Sequence, residues 1–379
     1  MLDFKYTYPF LKDATIAASN ECYLESHSLC MAHYTDCYGI PYKTLTRNTF
    51  NITGGGLDIL DTYPNKGIGS LYDYDKDIAC EVNENVVFLG YICSTCWGHT
   101  ITDSLARLWW ISKENYSIMY KDALLYYYSE KPLTDNYIIL LQLLGVKTEN
   151  LRYVDSVVHF SSVVVPEPCF INTTTSLRFT KEYVSLIDKL IANCHSTKSY
   201  NKIFLSKEDS VRQITSMEIK NILLEEGFTI VYPEKLSVQE QISIMQNAET
   251  IVSEESSLSH NFIFCHTNTK VVILRKANTI NVYQALINQI RALNVVYIDC
   301  HLSVLINPLH PHRGPFFLYA NDYFCRYFNK KTLAFPFDEF YTYLQNGVTE
   351  DEKWDTLYKD ILNNIISQNR INKYRMGRS

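Results

Sequence analysis

Short apolar and amphipathic blocks alternate regularly through the second half of the chain. The apolar runs predict strands, and the blocks with apolar residues three and four positions apart predict helices. The strands are Lys202–Ser206, Phe228–Tyr232, Thr250–Ser253, Lys270–Leu274 and Val295–Asp299, and the helices are Thr215–Glu226, Ser237–Asn247 and Ile280–Leu293. Strands and helices alternating at short spacing are typical of a parallel sheet covered by helices. The pattern therefore predicts a Rossmann-like unit.

Local signals fix the ends of two of these helices. Ser237 precedes an amphipathic run and Glu240 follows three residues later, which is the pattern of a capping box. Gly227 follows the helix Thr215–Glu226 and is a typical stop signal.

The first half of the chain carries a weaker α/β pattern. It predicts strands at Asn85–Tyr91 and Val157–Val165, helices at His99–Ser112, Asn136–Leu144 and Glu182–Cys194, and loops from Gly54 to Asp77. The polar stretch His195–Asn201 is the best linker. We therefore expect an α/β domain over residues 1–195, a Rossmann-like domain over 196–335, and a tail over 336–379 whose amphipathic helix Glu350–Ile366 packs on the body.

Composition and charge narrow the classes of function. Hydrophobic residues make up 46% of the 379 positions and charged residues 20%, which excludes a mainly disordered protein. Lysine and arginine total 35 against 41 aspartates and glutamates, a net charge of −6, so we expect no nucleic-acid partner. The 29 tyrosines are a weak indication of a carbohydrate ligand, because tyrosine can stack on sugar rings.

Targeting signals are missing from the sequence. No apolar run is long enough for a transmembrane helix, and the first twenty residues lack a basic region followed by an apolar core. We therefore expect a cytoplasmic protein whose eleven cysteines are reduced thiols. The basic end of the chain suits either a peripheral contact with the inner membrane face or a frayed, solvated terminus. Its cations are Arg370, Lys373, Arg375 and Arg378.

The first candidate for chemistry follows the strand Asn85–Tyr91. His99, Asp103 and Arg107 are four residues apart, so a helix would place them on one face. That face begins where the strand ends, and a carboxylate there can act as a general base that a neighbouring cation keeps ionised. The alternative is an exposed face that carries an ordinary Asp–Arg pair.

The second candidate is the polar loop after the strand Thr250–Ser253. A helix is predicted to begin near Ser257, and backbone N–H groups at a helix start favour a phosphate. Ser256, Ser259, His260 and Asn261 would add polar contacts. The alternative is a serine-capped helix in which His260 bonds a neighbouring carbonyl. No Walker A or GxGxxG motif occurs in the chain.

The third candidate is a pair of cations after the strand Lys202–Ser206. Lys207 and Arg212 suit a diphosphate, although Glu208 and Asp209 between them also fit a solvated loop of mixed charge. We expect no metal, because no Asp-x-Asp pair is flanked by apolar strand residues. Asp73 and Asp75 have that spacing but lie in a loop-like stretch, while His310 and His312 have only each other as nearby ligands.

The order of these segments resembles glycosyltransferase family 61. The resemblance is carried by CWGHTITDSLARLWW, FLSK with Lys207 where the family has Arg, Arg212, GFTIVYPEKLSVQEQ and AETIVSEESSLSHN. It runs from about Val86 to Leu274, and each segment is unspecific alone while the ordered set is specific. Many relatives have His-Gly where this chain has Glu255 and Ser256.

The resemblance implies a GT-B architecture, in which two Rossmann-like domains face each other across a cleft and a C-terminal helix crosses back. It implies an inverting, metal-independent transfer from a nucleotide sugar, UDP-linked by expectation, to a glycan or lipid-linked glycan in bacterial surface polysaccharide synthesis. Asp103 is the expected base, which His99 orients or replaces, with Arg107 in support on the acceptor side. The expected donor site consists of Lys207, Arg212, Glu255, Ser256, Ser257, His260 and Asn261, and no cofactor is expected.

A non-catalytic carbohydrate-binding or scaffold protein on the same fold is the alternative. The departures at Glu255 and Lys207 favour it, whereas the retained His99 and Asp103 favour an enzyme, because binding alone needs no base.

Overall fold

The computed structural model describes residues 22–25, 29, 31–43, 48–54, 57–61, 80–129, 131–153, 158–172, 177–208, 213–277, 281–302 and 316–345. Several predicted features lie outside these residues, namely Arg212, the tail helix Glu350–Ile366, the basic end of the chain, the pair Asp73 and Asp75, and the pair His310 and His312. None of the described helices is long and apolar enough to cross a membrane.

The described residues form an α/β structure. Its strands are β1 (Cys22–Glu25), β2 (Met31–Lys43), β3 (Asn48–Gly54), β4 (Leu57–Asp61), β5 (Cys80–Val82), β6 (Val86–Tyr91), β7 (Leu124–Tyr128), β8 (Leu151–Tyr153), β9 (Val158–Pro166), β10 (Phe170–Asn172), β11 (Leu177–Thr180), β12 (Lys202–Leu205), β13 (Gln213–Thr215), β14 (Thr229–Val231), β15 (Thr250–Glu254), β16 (Lys270–Arg275), β17 (Asn294–Asp299) and β18 (Phe316–Leu318). Its α-helices are Trp97–His99, Glu114–Met119, Asp135–Leu143, Lys181–Ala192, Met217–Glu225, Val238–Asn247, Val282–Ile290, Asp322–Tyr327 and Phe337–Gln345.

The second half contains the predicted parallel sheet. Its five strands lie in the order β14-β12-β15-β16-β17, and every neighbouring pair is parallel. The strand and helix predictions for this half are confirmed to within a few residues at each end. The capping box also forms, since the Ser237 hydroxyl accepts from the backbone of Glu240 and the Glu240 carboxylate accepts from the backbone of Ser237. Gly227 ends its helix with a φ of +81°, which a glycine adopts without strain.

The strand order creates a topological switch point in this sheet. Of the five strands of this sheet, β12 comes first along the chain, β14 second and β15 third. The connections from β12 and from β15 therefore run in opposite directions. Ligands of open parallel sheets bind in the crevice beyond the carboxyl ends of the two strands at such a point. Ser206 and Lys207 follow β12 directly, and the loop from Glu255 follows β15.

The first half contains a mixed sheet in the order β4-β3-β2-β9-β6-β7-β8, with β5 paired to β9. β6, β7 and β8 are parallel, whereas β2, β3 and β4 form an antiparallel meander that pairs with β9. The predicted strands around Val86 and Val158 are confirmed. The prediction of loops from Gly54 is wrong at its start, because β4 occupies Leu57–Asp61. Among the described strands β4 pairs with β3 alone, so its stability depends on a partner strand more than on its own pattern.

One apolar cluster joins the two halves. It contains Val87, Leu125 and Val164 from the first sheet and Ile203, Ile251 and Ile273 from the second. The helix Asp135–Leu143 contacts the helix Val238–Asn247, and the helix Lys181–Ala192 contacts a short 3₁₀-helix, Ser259–Phe264. This shared packing fixes the end of β6 relative to the end of β15.

A buried carboxylate holds the switch point together. Glu254, at the last position of β15, is 2% exposed and accepts hydrogen bonds from the hydroxyls of Ser206 and Thr215, both at 2.6 Å, and from the amide of Gln213 at 2.8 Å. These donors follow or belong to β12 and β13. Burial raises the pKa of Glu254, while the hydroxyl donors oppose that rise. The carboxylate therefore cross-links three strands at the edge where Lys207 and the loop from Glu255 begin.

We predict that Glu254→Ala lowers the free energy of unfolding by about 2–3 kcal/mol, because the orphaned buried donors lose their shared acceptor. Urea unfolding measures the change. Glu249→Ala is the matched control, since Glu249 is exposed one residue before the same strand and should stay within about 0.5 kcal/mol of the parent. Equal midpoints and slopes for Glu254→Ala and the control would contradict the cross-linking role.

Candidate active site

The segment after β6 is helical but irregular. Trp97–His99 forms one α-turn, Thr100–Ser104 a π-helix and Trp109–Ser112 a 3₁₀-helix. The predicted continuous helix His99–Ser112 is therefore wrong, although its apolar residues are buried as expected. The Thr100 hydroxyl lies 3.0–3.2 Å from the carbonyl oxygens of Cys93, Ser94 and Cys96, so it ties this turn to the end of β6. Single π-turns within helices are frequent at functional sites.

His99 and Asp103 form a direct pair within this segment. Nδ1 of His99 contacts Oδ2 of Asp103. The His99 side chain is 31% exposed and the Asp103 side chain only 4%. The second carboxylate oxygen, Oδ1, is buried and has no hydrogen-bond partner among the described residues. A buried carboxylate behind a more exposed imidazole fixes the orientation of the ring.

Arg107 does not share this face. The π-helix ends at Ser104, so the chain turns before Arg107, and the buried guanidinium donates instead to the carbonyl of Pro166 at the end of β9. The prediction of one stripe from His99 to Arg107 is therefore wrong at Arg107. Four-residue spacing aligns side chains only where an α-helix continues, and here it does not.

The loop after β15 is a compact turn followed by the 3₁₀-helix Ser259–Phe264. The helix predicted to begin near Ser257 is therefore a 3₁₀-helix, and it begins at Ser259. The Ser256 hydroxyl accepts from the backbone N–H of Leu258 at 3.1 Å, and the Ser259 hydroxyl donates to the Ser256 carbonyl at 2.7 Å. These serines hold the turn, while Ser257 remains partly exposed.

His260 and Asn261 are buried with unused polar atoms. His260 is 6% exposed, and neither of its ring nitrogens has a hydrogen-bond partner in the described structure. The alternative in which a neighbouring carbonyl satisfies His260 is therefore wrong. Burial, with His99 and Lys276 nearby, lowers the pKa of His260 to about 3, so the imidazole is neutral at pH 7. Asn261 is fully buried, and its Nδ2 is also without a partner there.

The His99 segment and the His260 loop touch each other. The indole N–H of Trp97 donates to Oδ1 of Asn261 at 3.0 Å. A Cβ at position 98 would lie 3.0 Å from Nδ1 of His260, so Gly98 permits the close approach of the two segments. The ring of Tyr283 lies 6.4 Å from both the His99 ring and the His260 ring. The structure therefore joins the first two predicted groups into one site.

Cations lie at the adjacent strand ends. Lys207 is partly exposed at the end of β12, as predicted. A further cation, which was not among the predicted residues, is Lys276, the first residue after β16, whose pKa is lowered by burial and by the charge of Lys207. Its position directly after a buried strand was the available signal. In Glu255, Oε2 accepts from the backbone N–H of Lys276 at 3.1 Å and Oε1 from that of Asn281 at 3.4 Å. Both oxygens thus hold the chain after β16.

No three His, Cys, Asp or Glu side chains converge as metal ligands in the part of the chain that the structure describes.

A comparison with protein families covers the residues of this site. The model of the family Glycosyltransferase 61 matches residues 97–272, a span that begins at the His99 segment and includes the loop after β15. These residues belong to glycosyltransferase family 61. The family recognised from the ordered segments is thus confirmed, and the chain carries a glycosyltransferase domain. No match was found among curated proteins. Lys276 lies outside the matched span.

The depressed pKa of His260 predicts a pH-dependent stability. Between pH 6.5 and pH 3 the unfolded chain protonates this residue and the folded chain does not, so the free energy of unfolding falls as pH falls through that window. From pH 7 to pH 4.5 the contribution reaches up to about 2.7 kcal/mol. Urea unfolding at both pH values should show a smaller loss for His260→Gln than for the parent.

The control for this test is His266→Gln, since His266 is exposed. It should lose as much stability as the parent. Equal pH dependence in His260→Gln and the parent would show that His260 titrates normally in the folded protein.

Proposed function

We propose that this glycosyltransferase moves a sugar from a nucleotide sugar to a hydroxyl of a glycan acceptor with inversion at the anomeric carbon. The acceptor oxygen attacks that carbon while the bond to the diphosphate oxygen breaks. The acceptor proton passes to a base, and the bond electrons leave with the nucleoside diphosphate. The observation that carries the proposal is the contact between the segment that bears the His99–Asp103 pair and the buried polar loop at the switch point, made by Trp97 and Gly98.

His99 is the proposed base and Asp103 its buried partner. The sequence alone favoured the reverse assignment, with Asp103 as base. An acceptor hydroxyl reaches the 31% exposed imidazole more readily than the 4% exposed carboxylate. With Nδ1 held by Asp103, Nε2 of His99 is left to accept the proton, and the carboxylate stabilises the imidazolium that forms.

The donor is proposed to bind at the carboxyl edge of the parallel sheet. A leaving diphosphate gains negative charge during transfer, so it needs cations and N–H donors directed at it. Lys207 and the buried loop supply such groups at the switch point, where open parallel sheets bind ligands. Arg212, Ser256, Ser257, His260 and Asn261 remain proposed donor residues, within a GT-B arrangement. Glu255 is proposed to hold the chain after β16 rather than the donor.

The family resemblance supports the remaining parts of the proposal, namely a UDP-linked donor, a cytoplasmic reaction and a role in surface polysaccharide synthesis.

A thermal-shift screen of nucleotides and sugar nucleotides tests donor binding, since a ligand at 100 times its Kd adds about 2.7 kcal/mol to stability. Donor turnover separates the enzyme from a carbohydrate-binding protein on the same fold. The purified protein should hydrolyse the donor slowly and transfer its sugar to an acceptor. Donor binding without turnover on any acceptor would favour the binding protein.

We predict that His99→Ala and Asp103→Asn each lower kcat by about 10²–10⁴-fold, because both disable the base, with donor affinity within a few-fold of the parent. The smaller loss should be that of Asp103→Asn, which retains the imidazole. Steady-state kinetics on one acceptor, with donor affinity by calorimetry, measures both. His266→Ala and Asp135→Asn, at exposed positions, are the controls. A larger loss for Asp103→Asn than for His99→Ala would return the role of base to Asp103.

We also predict that transfer survives excess EDTA, because the sequence lacks an Asp-x-Asp pair in a strand context and cationic side chains are available for the diphosphate. The measurement is the initial rate with and without chelator. A rate that collapses with EDTA and returns with manganese would overturn metal independence.

A further inference from the structure

Lys276 is a partly buried cation that forms no salt bridge among the described residues. Its ammonium lies 4.8 Å from the ring centroid of Phe316. The charges of Glu255 and Glu254 act on it, although both oxygens of Glu255 already accept from backbone N–H groups. Burial lowers the pKa of Lys276, and these two charges only partly offset that effect. An anion that binds beside the ammonium therefore reduces the cost of its burial.

Unused hydrogen-bonding groups surround the same edge of the sheet. Lys276 lies beside the start of the turn that leads to His260, because its backbone N–H donates to the carboxylate of Glu255, and its charge contributes to the lowered pKa of His260. Both nitrogens of His260 and Nδ2 of Asn261 are buried without partners in the described structure. A neutral imidazole offers one N–H donor, and the Asn261 amide offers two. A cation and at least two buried donors thus lack an acceptor.

The position of Lys276 matches the switch point. It follows β16, which is the neighbour of β15 on the side away from β12. The charge of Lys207, at the end of β12, is also felt at Lys276. The two lysines therefore flank the turn after β15, from which His260 and Asn261 project. An anion that carries negative charge on two linked groups can interact with both lysines. A single carboxylate carries one negative charge and can neutralise only one of them.

We propose that Lys276, outside the span that matches the family, is a diphosphate-binding residue that acts with Lys207 and with the side-chain N–H groups of His260 and Asn261. This inference rests on the proposed function, because the diphosphate is that of the nucleotide-sugar donor. Binding adds negative charge beside Lys276. During transfer the diphosphate oxygen that leaves the sugar gains charge, and a fixed ammonium stabilises that charge without a metal.

The test is binding to UDP, to inorganic pyrophosphate and to uridine, by calorimetry on the full chain. Lys276→Met keeps the length and apolar stem of the side chain and removes the charge. We expect it to weaken binding of UDP and of pyrophosphate by about 10–100-fold, as for loss of one charge-assisted hydrogen bond, and to leave uridine unaffected. Lys270→Met is the matched control, because Lys270 is exposed at the opposite end of the same strand. It should bind all three probes like the parent.

Two further readouts separate a binding role from a structural one. The unfolding temperature of ligand-free Lys276→Met should stay close to that of the parent, because the apolar stem of the side chain is retained and its ammonium forms no salt bridge among the described residues. At alkaline pH, UDP binding should take up protons in the parent, since the bound anion raises the pKa that burial lowers in Lys276. Calorimetry in two buffers of different ionisation enthalpy measures that uptake, which should be smaller in Lys276→Met.

The outcomes distinguish this inference from the proposed function. Parent-like binding of UDP and pyrophosphate by Lys276→Met overturns the role of Lys276, as does an equal loss for uridine, and neither result touches donor turnover by the parent. A parent protein that binds neither UDP nor pyrophosphate also overturns the role of Lys276. Pyrophosphate binding through Lys276 in a protein that turns over no nucleotide sugar supports the anion site and contradicts the proposed function.

Discussion

The geometry of the site depends on one buried carboxylate. Glu254 ends β15 and gathers the hydroxyls of Ser206 and Thr215 and the amide of Gln213. A carboxylate in this position is costly to desolvate, and its three donors offset that cost. Because β12 and β15 diverge in connectivity beyond this point, the cross-link keeps their ends together where the crevice opens. Lys207 and the turn after β15 take their positions from it.

The second constraint is the absence of a side chain at Gly98. The His99 segment and the His260 loop are more than 150 residues apart, yet the indole of Trp97 bonds Asn261 directly. Any Cβ at position 98 would press on the His260 ring at 3.0 Å. One glycine therefore allows the turn that carries His99, from the first sheet, to lie against a loop from the second. Tyr283, which packs face to face on Phe170, closes the contact from the other side.

Several unsatisfied polar groups lie at this contact. Oδ1 of Asp103, the nitrogens of His260 and Nδ2 of Asn261 are all buried without partners in the described residues. Folded proteins satisfy most buried polar groups, so such a cluster is expected where a ligand completes the bonds. These unpaired groups lower the stability of the folded protein, and the apolar cluster shared by the two sheets offsets that loss. The same unpaired groups that would bind a ligand thus reduce the stability of the ligand-free protein.

The sequence by itself determined the parallel sheet, its helices and the family, because hydrophobic periodicity, caps and motif order are local properties of the chain. It also brought forward His99, Asp103 and the loop to Asn261 as chemistry-bearing segments. Only the tertiary structure decided how these residues are exposed and paired. The π-turn removed Arg107 from the face of Asp103, and long-range packing left His260 without a carbonyl partner among the described residues. Burial left His99 more exposed than Asp103, which supports the proposed exchange of their roles, and the strand order placed Lys276 beside a loop to which no spacing in the sequence connects it. Exposure, pairing and charge at the site depend on contacts between distant segments, and periodicity does not encode those contacts.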